Sequence, residues 1–317
     1  MKFAFVFPGQ GSQSIAMLDA FVAACDRHPA VRDTLAEASD ILHQDIAALI
    51  AAGPVEQLGL TANTQPVMLT VGVAIYRAWR AAGGGTPAVV AGHSLGEYAA
   101  LVAAGALDFR DALPLVRFRA LAIQEAVPVG TGAMAAILGL DDDAVRACCV
   151  EAEFEAAQGE VVEAVNFNAP AQVVIAGHKA AVERACAAAK AKGAKRAMML
   201  QVSAPFHSSL MKPAADRLSK YLAGVAMAAP NIDVVNNVDV AVRHDAAAIR
   251  DALVRQAAGP VRWVETIRKM ATDGVTHVVE CGPGKVLYGL TKRINENLAG
   301  AAIVDPASLQ QTLELLK

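Results

Sequence analysis

Short apolar runs without polar alternation recur along the chain, and each is followed by glycine or polar residues and then by a long stretch rich in alanine and leucine. Such runs are typical of strands that are covered on both faces in a parallel sheet, with helices as connections. The pattern therefore predicts an α/β fold, with a short parallel sheet flanked by helices. The predicted strands of this sheet are Lys2–Phe7, Ala88–Ala91, Asp233–Asn236 and His277–Cys281.

The pattern changes between about Gly132 and Leu200, where the predicted elements follow in the order βαββαβ. This order is the ferredoxin-like pattern. We therefore predict a discontinuous large α/β domain, residues 1–130 and 201–317, with a ferredoxin-like small domain inserted at 131–200. A cleft between the two is the expected place for a ligand. The predicted elements of the small domain are strands at 133–138, 161–165, 172–176 and 196–200, one helix beginning at 141–143, and a second helix at 180–191.

The composition argues against several classes of protein, namely those that bind nucleic acid, depend on disulfides or zinc, or span a membrane. The 317 residues are 55% hydrophobic and 19% charged, with a formal net charge of -3 and no basic stripe that would favour nucleic acid. The five cysteines show no C-x-x-C pair, which argues against a disulfide framework and a zinc site. No apolar run approaches the roughly 18 residues of a membrane span. We expect a soluble, cytoplasmic protein that binds no metal.

The sharpest local motif is Gly92-His93-Ser94-Leu95-Gly96, which follows a predicted buried strand and leads into a predicted helix. A G-x-S-x-G turn between strand and helix exposes a serine hydroxyl at the helix N-terminus. Ser94 is therefore the candidate nucleophile, and an N-capping serine in a glycine turn is the alternative. A serine also needs a base. His93 points away from a sharp turn and is expected to support it, whereas His207, in a loop after a strand, is a candidate on position alone.

A second loop, Pro8-Gly9-Gln10-Gly11-Ser12-Gln13, follows the first predicted strand. Gly9-x-Gly11 is similar to the start of a dinucleotide fingerprint, but position 14 is serine where the third glycine is required. A bound dinucleotide is therefore not expected. The alternative is that the backbone amide of Gln10 helps to stabilise an oxyanion together with the amide of Leu95, the residue after the nucleophile.

Three ordered motifs together resemble the family of malonyl-CoA:acyl carrier protein transacylases. They are Phe7–Gln13, Gly92–Glu97 and Ala204–Ser208, and the resemblance spans nearly the whole chain. It is supported by three further segments that are similar to the family's arginine helix, its entry to the small domain and its last sheet loop: Arg117–Glu125, Gly130–Met134 and Glu280–Leu287.

The resemblance implies a Ser94–His207 dyad in which the backbone carbonyl of Gln256 orients the imidazole. It implies an oxyanion hole formed by the amides of Gln10 and Leu95. It also implies that Arg119 binds the malonyl carboxylate, a contact that suits a planar, bidentate guanidinium. Arg117 is expected to face elsewhere on its helix. Further positions near the cleft are Gln65, Asn166, Phe206 and His93; backbone capping is the alternative for Gln65 and Asn166, and Phe206 is expected to exclude branched malonyl groups.

The implied activity is transfer of malonyl from coenzyme A to the phosphopantetheine thiol of acyl carrier protein, in fatty-acid synthesis, with no cofactor of its own. The alternatives are the same chemistry in polyketide synthesis or malonate decarboxylation, a serine esterase or thioesterase, and a non-catalytic carrier-binding subunit. We expect a monomer. An acidic carrier protein is expected to dock on basic residues of the small domain, namely Lys190, Lys192, Lys195 and Arg196; a merely solvated basic run is the alternative.

Overall fold

Two separate sheets organise the chain in the computed structural model, which describes residues 1–154 and 159–317. Before the small sheet, the elements are β1 (Phe3–Phe7), α1 (Asp19–Ala23), α2 (Pro29–Leu42), α3 (Ile46–Ala52), α4 (Val55–Gly59), α5 (Thr61–Ala81), β2 (Val89–Gly92), α6 (Gly96–Ala103) and α7 (Phe109–Gln124). The small sheet and its helices are β3 (Gly132–Leu138), α8 (Asp142–Phe154), β4 (Val162–Ala169), β5 (Gln172–His178), α9 (Lys179–Ala191) and β6 (Arg196–Met199). The remainder consists of a 3₁₀ turn (Ser209–Met211), α10 (Lys212–Leu222), β7 (Asp233–Val235), α11 (Ala246–Ala257), α12 (Trp263–Thr272), β8 (His277–Cys281), α13 (Val286–Ile294), β9 (Ala299–Ile303) and α14 (Pro306–Leu315).

The larger sheet is parallel, with five strands in the order β7-β2-β1-β8-β9. β1, its central strand, is fully buried and has the all-apolar sequence expected of a strand covered on both faces. The predicted α/β class is confirmed, and the sheet contains one strand, β9, beyond the four that the sequence predicted. β9 had not been predicted, because its sequence Ala-Gly-Ala-Ala-Ile has a low intrinsic preference for strands.

The smaller sheet is antiparallel, with the strand order β4-β5-β3-β6. α8 and α9 pack against it and enclose a separate apolar core that includes Ile137, Val173 and Val182. The predicted βαββαβ order is therefore confirmed, although β4 continues to Ala169 rather than ending at residue 165. This sheet lies inside the predicted small domain, and the exact boundaries 131–200 stay a prediction.

A further apolar cluster joins the small sheet to α7 and to the segment that contains Phe206. Met134 and Val174 of the small sheet pack in it with Ile123 at the end of α7 and with Phe206. β4 also forms a single parallel bridge, Asn166 to Val261, with the chain that follows α11. None of the described helices combines the length and apolar character that crossing a membrane requires.

Candidate active site

The turn after β2 places Ser94 in a strained conformation, with φ of 52°. Only glycine fits on either side of this turn. A Cβ on Gly92 would lie 1.8 Å from the carbonyl carbon of Gly96, and a Cβ on Gly96 would lie 2.0 Å from the carbonyl oxygen of Phe7. The strand, the turn and α6 therefore hold the Ser94 hydroxyl at the carboxyl edge of the parallel sheet, in the arrangement of a nucleophile elbow.

His207 lies next to the serine. Its Nε2 is 2.7 Å from Ser94 Oγ, and its Nδ1 is 2.9 Å from the carbonyl oxygen of Gln256 and 3.1 Å from that of Gly259. Because carbonyl oxygens only accept, Nδ1 must carry the proton, which leaves Nε2 free to accept the serine proton. Burial, together with the nearby Arg119 charge, lowers the pKa of His207 to about 3, so the imidazole is neutral at pH 7.

Arg119 of α7 is 2% exposed and directs its guanidinium toward the serine. Nη1 donates to Gln65 Oε1 at 2.8 Å, and Nη2 donates to Gln256 Oε1 at 3.1 Å and to Ser94 Oγ at 3.3 Å. Nε has no acceptor among the described residues. Arg117 faces elsewhere, as expected, and donates to the carbonyl of Leu42 and to Gln44. A buried cation therefore stands beside the nucleophile.

The backbone amides of Gln10 and Leu95 belong to the loops that follow β1 and β2. Neither amide donates a hydrogen bond to another described residue of the chain. Leu95 immediately precedes α6, whose N-terminal end favours negative charge. Both amides are therefore free to donate to an oxygen that becomes negative beside Ser94.

A cavity of about 390 Å³ brings these groups together. It lies between the two sheets, and its lining includes Met134, Val174 and Leu200 from the small-sheet side. Two lining polar atoms, Gln10 Oε1 and Asn166 Oδ1, are buried without a partner among the described residues. Of the predicted site residues, those that line this cavity are Gln10, Gln65, His93, Ser94, Leu95, Arg119, Asn166, Phe206 and His207.

Gln256 and His93 differ from the other predicted site residues in how they are placed. Gln256 lies behind the cavity wall. Its backbone carbonyl contacts His207. The His93 ring turns from the serine, with Nε2 2.8 Å from Asn168 Oδ1 and the ring 5.5 Å from that of Trp263. Within the part of the chain that the structure describes, no group of three or more His, Cys, Asp or Glu side chains could hold a metal ion.

Sequence reasoning missed a polar network beneath the elbow. Asn237, just after β7, accepts from the Ser94 amide at 2.7 Å and donates to the carbonyl of Gly92 at 2.7 Å. Glu97 of α6, which is 2% exposed, accepts from the Asn237 amide at 2.9 Å and from Gln256 Nε2 at 3.0 Å. Burial raises the pKa of Glu97 to about 7, although these hydrogen bonds act in the opposite direction. The sequence feature that could have indicated this role is the position of Asn237, which follows a predicted strand and so lies at the same carboxyl edge of the sheet as Ser94.

Comparisons with known proteins agree with this geometry. Residues 4–307 match the acyl transferase domain family. The chain is 56% identical over 314 residues to the malonyl CoA-acyl carrier protein transacylase of Escherichia coli K12, with 99% of each chain covered. It is 44% identical over 316 residues to the Bacillus subtilis protein of the same name, covering 100% of this chain and 98% of the relative.

Solved structures show the same fold. An acyl-carrier-protein S-malonyltransferase from Burkholderia pseudomallei 1710b is 69% identical and superimposes with a TM-score of 0.96, covering 99% of this chain and 100% of that one. A malonyl-transacylase in complex with a type II PKS acyl-carrier protein is 53% identical, with a TM-score of 0.96 and the same coverage. The chain therefore belongs to the acyl transferase family, among the malonyl CoA-acyl carrier protein transacylases.

Proposed function

We propose that this enzyme transfers a malonyl group from malonyl-CoA to the phosphopantetheine thiol of an acyl carrier protein, through an ester on Ser94. The observation that carries the proposal is the position of Arg119. A buried guanidinium whose Nη2 is 3.3 Å from the nucleophile Oγ suits an acyl group with a free carboxylate at its far end. A serine esterase for neutral esters has no use for a buried cation at this place.

The first half of the reaction makes the acyl-enzyme. Nε2 of His207 takes the proton of Ser94 Oγ, and Oγ attacks the thioester carbonyl carbon of malonyl-CoA. The amides of Gln10 and Leu95 donate to the oxyanion that forms. When the intermediate collapses, the carbon–sulfur bond breaks, and the coenzyme A sulfur leaves with the proton held by His207.

The second half reverses these steps with a different thiol. His207 takes the proton of the carrier-protein thiol, whose sulfur attacks the ester carbonyl of malonyl-Ser94. The carbon–oxygen bond to Ser94 breaks, and Oγ regains the proton. Apart from the two substrates, all the groups in both steps are side chains and amides of this chain, so we propose that the enzyme needs no cofactor of its own.

Intact-protein mass spectrometry tests the proposal. Brief incubation with malonyl-CoA is expected to add one malonyl group to the wild type and none to Ser94→Ala. Subsequent addition of a carrier protein bearing phosphopantetheine is expected to remove the malonyl group from the enzyme and add it to the carrier. An adduct that persists in Ser94→Ala, or one released only as free malonate, would contradict the proposal.

We propose a fatty-acid carrier as the partner and the cytoplasm as the location, the latter supported by five free cysteines. The relative in complex with a type II PKS acyl-carrier protein favours a polyketide carrier as the alternative. Transfer rates to the two kinds of carrier decide between them. Lys190, Lys192, Lys195 and Arg196 are all exposed, as a docking surface requires, and Lys192 also pairs with Glu151.

A further inference from the structure

The side-chain amide of Gln256 lies between Arg119 and the network beneath the elbow. Its Oε1 accepts from Arg119 Nη2 at 3.1 Å, and its Nε2 donates at 3.0 Å to both the carbonyl of Ser94 and Oε2 of Glu97. All three side chains are buried. The amide therefore connects a carboxyl group on α6 to the cation that faces the serine.

Glu97 and the carbonyl of Ser94 together set the direction of that amide. If the amide were rotated by half a turn, its oxygen would face two acceptors, the Ser94 carbonyl and Glu97 Oε2. Its NH₂ group would then face the guanidinium of Arg119, donor against donor. Unpaired polar groups in a buried site are costly, so the orientation with Oε1 toward the guanidinium is the stable one.

Arg119 depends on this oxygen for its position. Its long side chain has two acceptors with fixed positions, Gln65 Oε1 and Gln256 Oε1, one on each terminal nitrogen. Loss of either acceptor releases a flexible chain whose planar donor group must be held in place to bind a carboxylate at two points. Neither Glu97 nor the amide of Gln256 lines the cavity, so neither contacts the substrate directly. Both also support the Ser94 backbone, but that support serves malonyl and acetyl groups alike, whereas the contact with Arg119 concerns only a group that carries a carboxylate.

We propose that Glu97 is a positioning residue for acyl-group selection, which acts on Arg119 through the side-chain amide of Gln256. This inference rests on the proposed function, because it concerns how the enzyme distinguishes a malonyl group from an acetyl group. The backbone carbonyl of Gln256 orients His207 independently of this path.

The test measures kcat/KM for formation of malonyl-enzyme and acetyl-enzyme in wild type, Glu97→Met and Glu97→Gln. Glu97→Met removes the acceptor, and the malonyl-to-acetyl ratio is expected to fall about tenfold. Glu97→Gln keeps an oxygen where Oε2 accepts, and is expected to retain most of the ratio. Loss of the ratio in Glu97→Gln as large as in Glu97→Met would overturn the hydrogen-bond path. An unchanged ratio in folded Glu97→Met would overturn the role itself.

Two further variants keep the test decisive if Glu97→Met does not fold. Gln256→Met removes the amide but keeps the backbone carbonyl, so it is expected to lower the ratio by a similar factor. The double variant is expected to lower the ratio no further, because both changes interrupt one path. Additive losses would contradict a shared path.

Glu280 provides the matched control. It is a second fully buried carboxyl group, which accepts from the amide of Tyr288 at 2.8 Å, away from Arg119. Glu280→Met is expected to lower stability without changing the malonyl-to-acetyl ratio. If the ratio fell as far as in Glu97→Met, the loss in Glu97→Met would be due to loosened packing and not to the hydrogen-bond path. If wild type forms no malonyl-enzyme, the proposed function fails; if it does and only the ratio is insensitive to Glu97, this inference alone fails.

Discussion

Replacement of Arg119 by methionine tests the basis of acyl selection. Methionine keeps an unbranched side chain of similar reach but removes the cation. A malonyl carboxylate would then be buried beside Ser94 without its partner, and loss of one member of a buried ion pair costs about 3–5 kcal/mol. At roughly 1.4 kcal/mol per factor of ten, kcat/KM for malonyl-CoA is expected to fall by about 10²- to 4 × 10³-fold.

Arg119→Met is not expected to slow the reaction with acetyl-CoA, because an acetyl group has no charge to pair with the guanidinium. In the wild type it leaves the cation with unused donors, and Arg119→Met removes that penalty. We expect acetyl transfer to be unchanged or faster. The malonyl-to-acetyl ratio of kcat/KM should therefore fall by at least as much as kcat/KM for malonyl-CoA. The assay is quenched-flow mixing with each thioester, followed by measurement of the acyl-enzyme fraction by intact mass.

Arg117→Met is the matched control, since Arg117 lies on the same helix but bonds to Leu42 and Gln44 outside the cavity. It is expected to keep the wild-type ratio. Thermal denaturation of both variants separates selection from stability, because Arg119→Met also removes the donor from the amide oxygens of Gln65 and Gln256. If Arg119→Met keeps a ratio within about threefold of the wild type, Arg119 does not bind the carboxylate.

Three other measurements follow from the structure. Gly92→Ala is expected to lower the free energy of unfolding by more than about 3 kcal/mol, because a Cβ there would lie 1.8 Å from the backbone. Gly289→Ala, at an open position in α13, is expected to raise the free energy of unfolding by about 0.5–1 kcal/mol. Chemical denaturation compares the two variants, and equal stabilities would refute the steric argument. Because the pKa of His207 is lowered to about 3, kcat/KM for acylation is expected to stay constant as the pH falls through 6.5, and a midpoint at 6.5 would show a solvated imidazole. Burial raises the pKa of Glu280 to about 7, so the folded protein binds this proton more tightly than the unfolded chain, and stability falls as the pH rises from 4.5 to 7. Glu280→Gln is expected to reduce this dependence of the melting temperature on pH. An unchanged dependence would show that the proton is not bound by Glu280.

The parts of the fold that the sequence predicted are those where several local signals agree. At Ser94, a buried strand, two glycines and a helix follow one another within a few positions, so the elbow could be recognised without any distant contact. β9 could not be recognised in this way. Its alanines and glycine form a strand only because β8 offers an adjacent edge for pairing.

The polar network was missed for a related reason. Asn237 after a strand is typical of a turn, and nothing local indicates that its side chain bonds to the elbow. Glu97 looks like a favourable charge in the first turn of a helix. Their shared function depends on Gln256, which the fold brings in from a separate helix. The backbone role of Gln256 was available only from family resemblance, because a main-chain carbonyl has no residue-type signature.

The order of the site residues along the chain has a consequence for biosynthesis. Ser94 and Arg119 precede the small sheet, whereas His207 and Gln256 follow it. A growing chain therefore carries the nucleophile long before it carries the base, and the turn that strains Ser94 stays unsupported until Asn237 has been made. β1 likewise has an open edge until β8 arrives. The unfinished polypeptide thus lacks the base that activates Ser94, and the edge of β1 that pairs with β8 has no partner until synthesis is nearly complete.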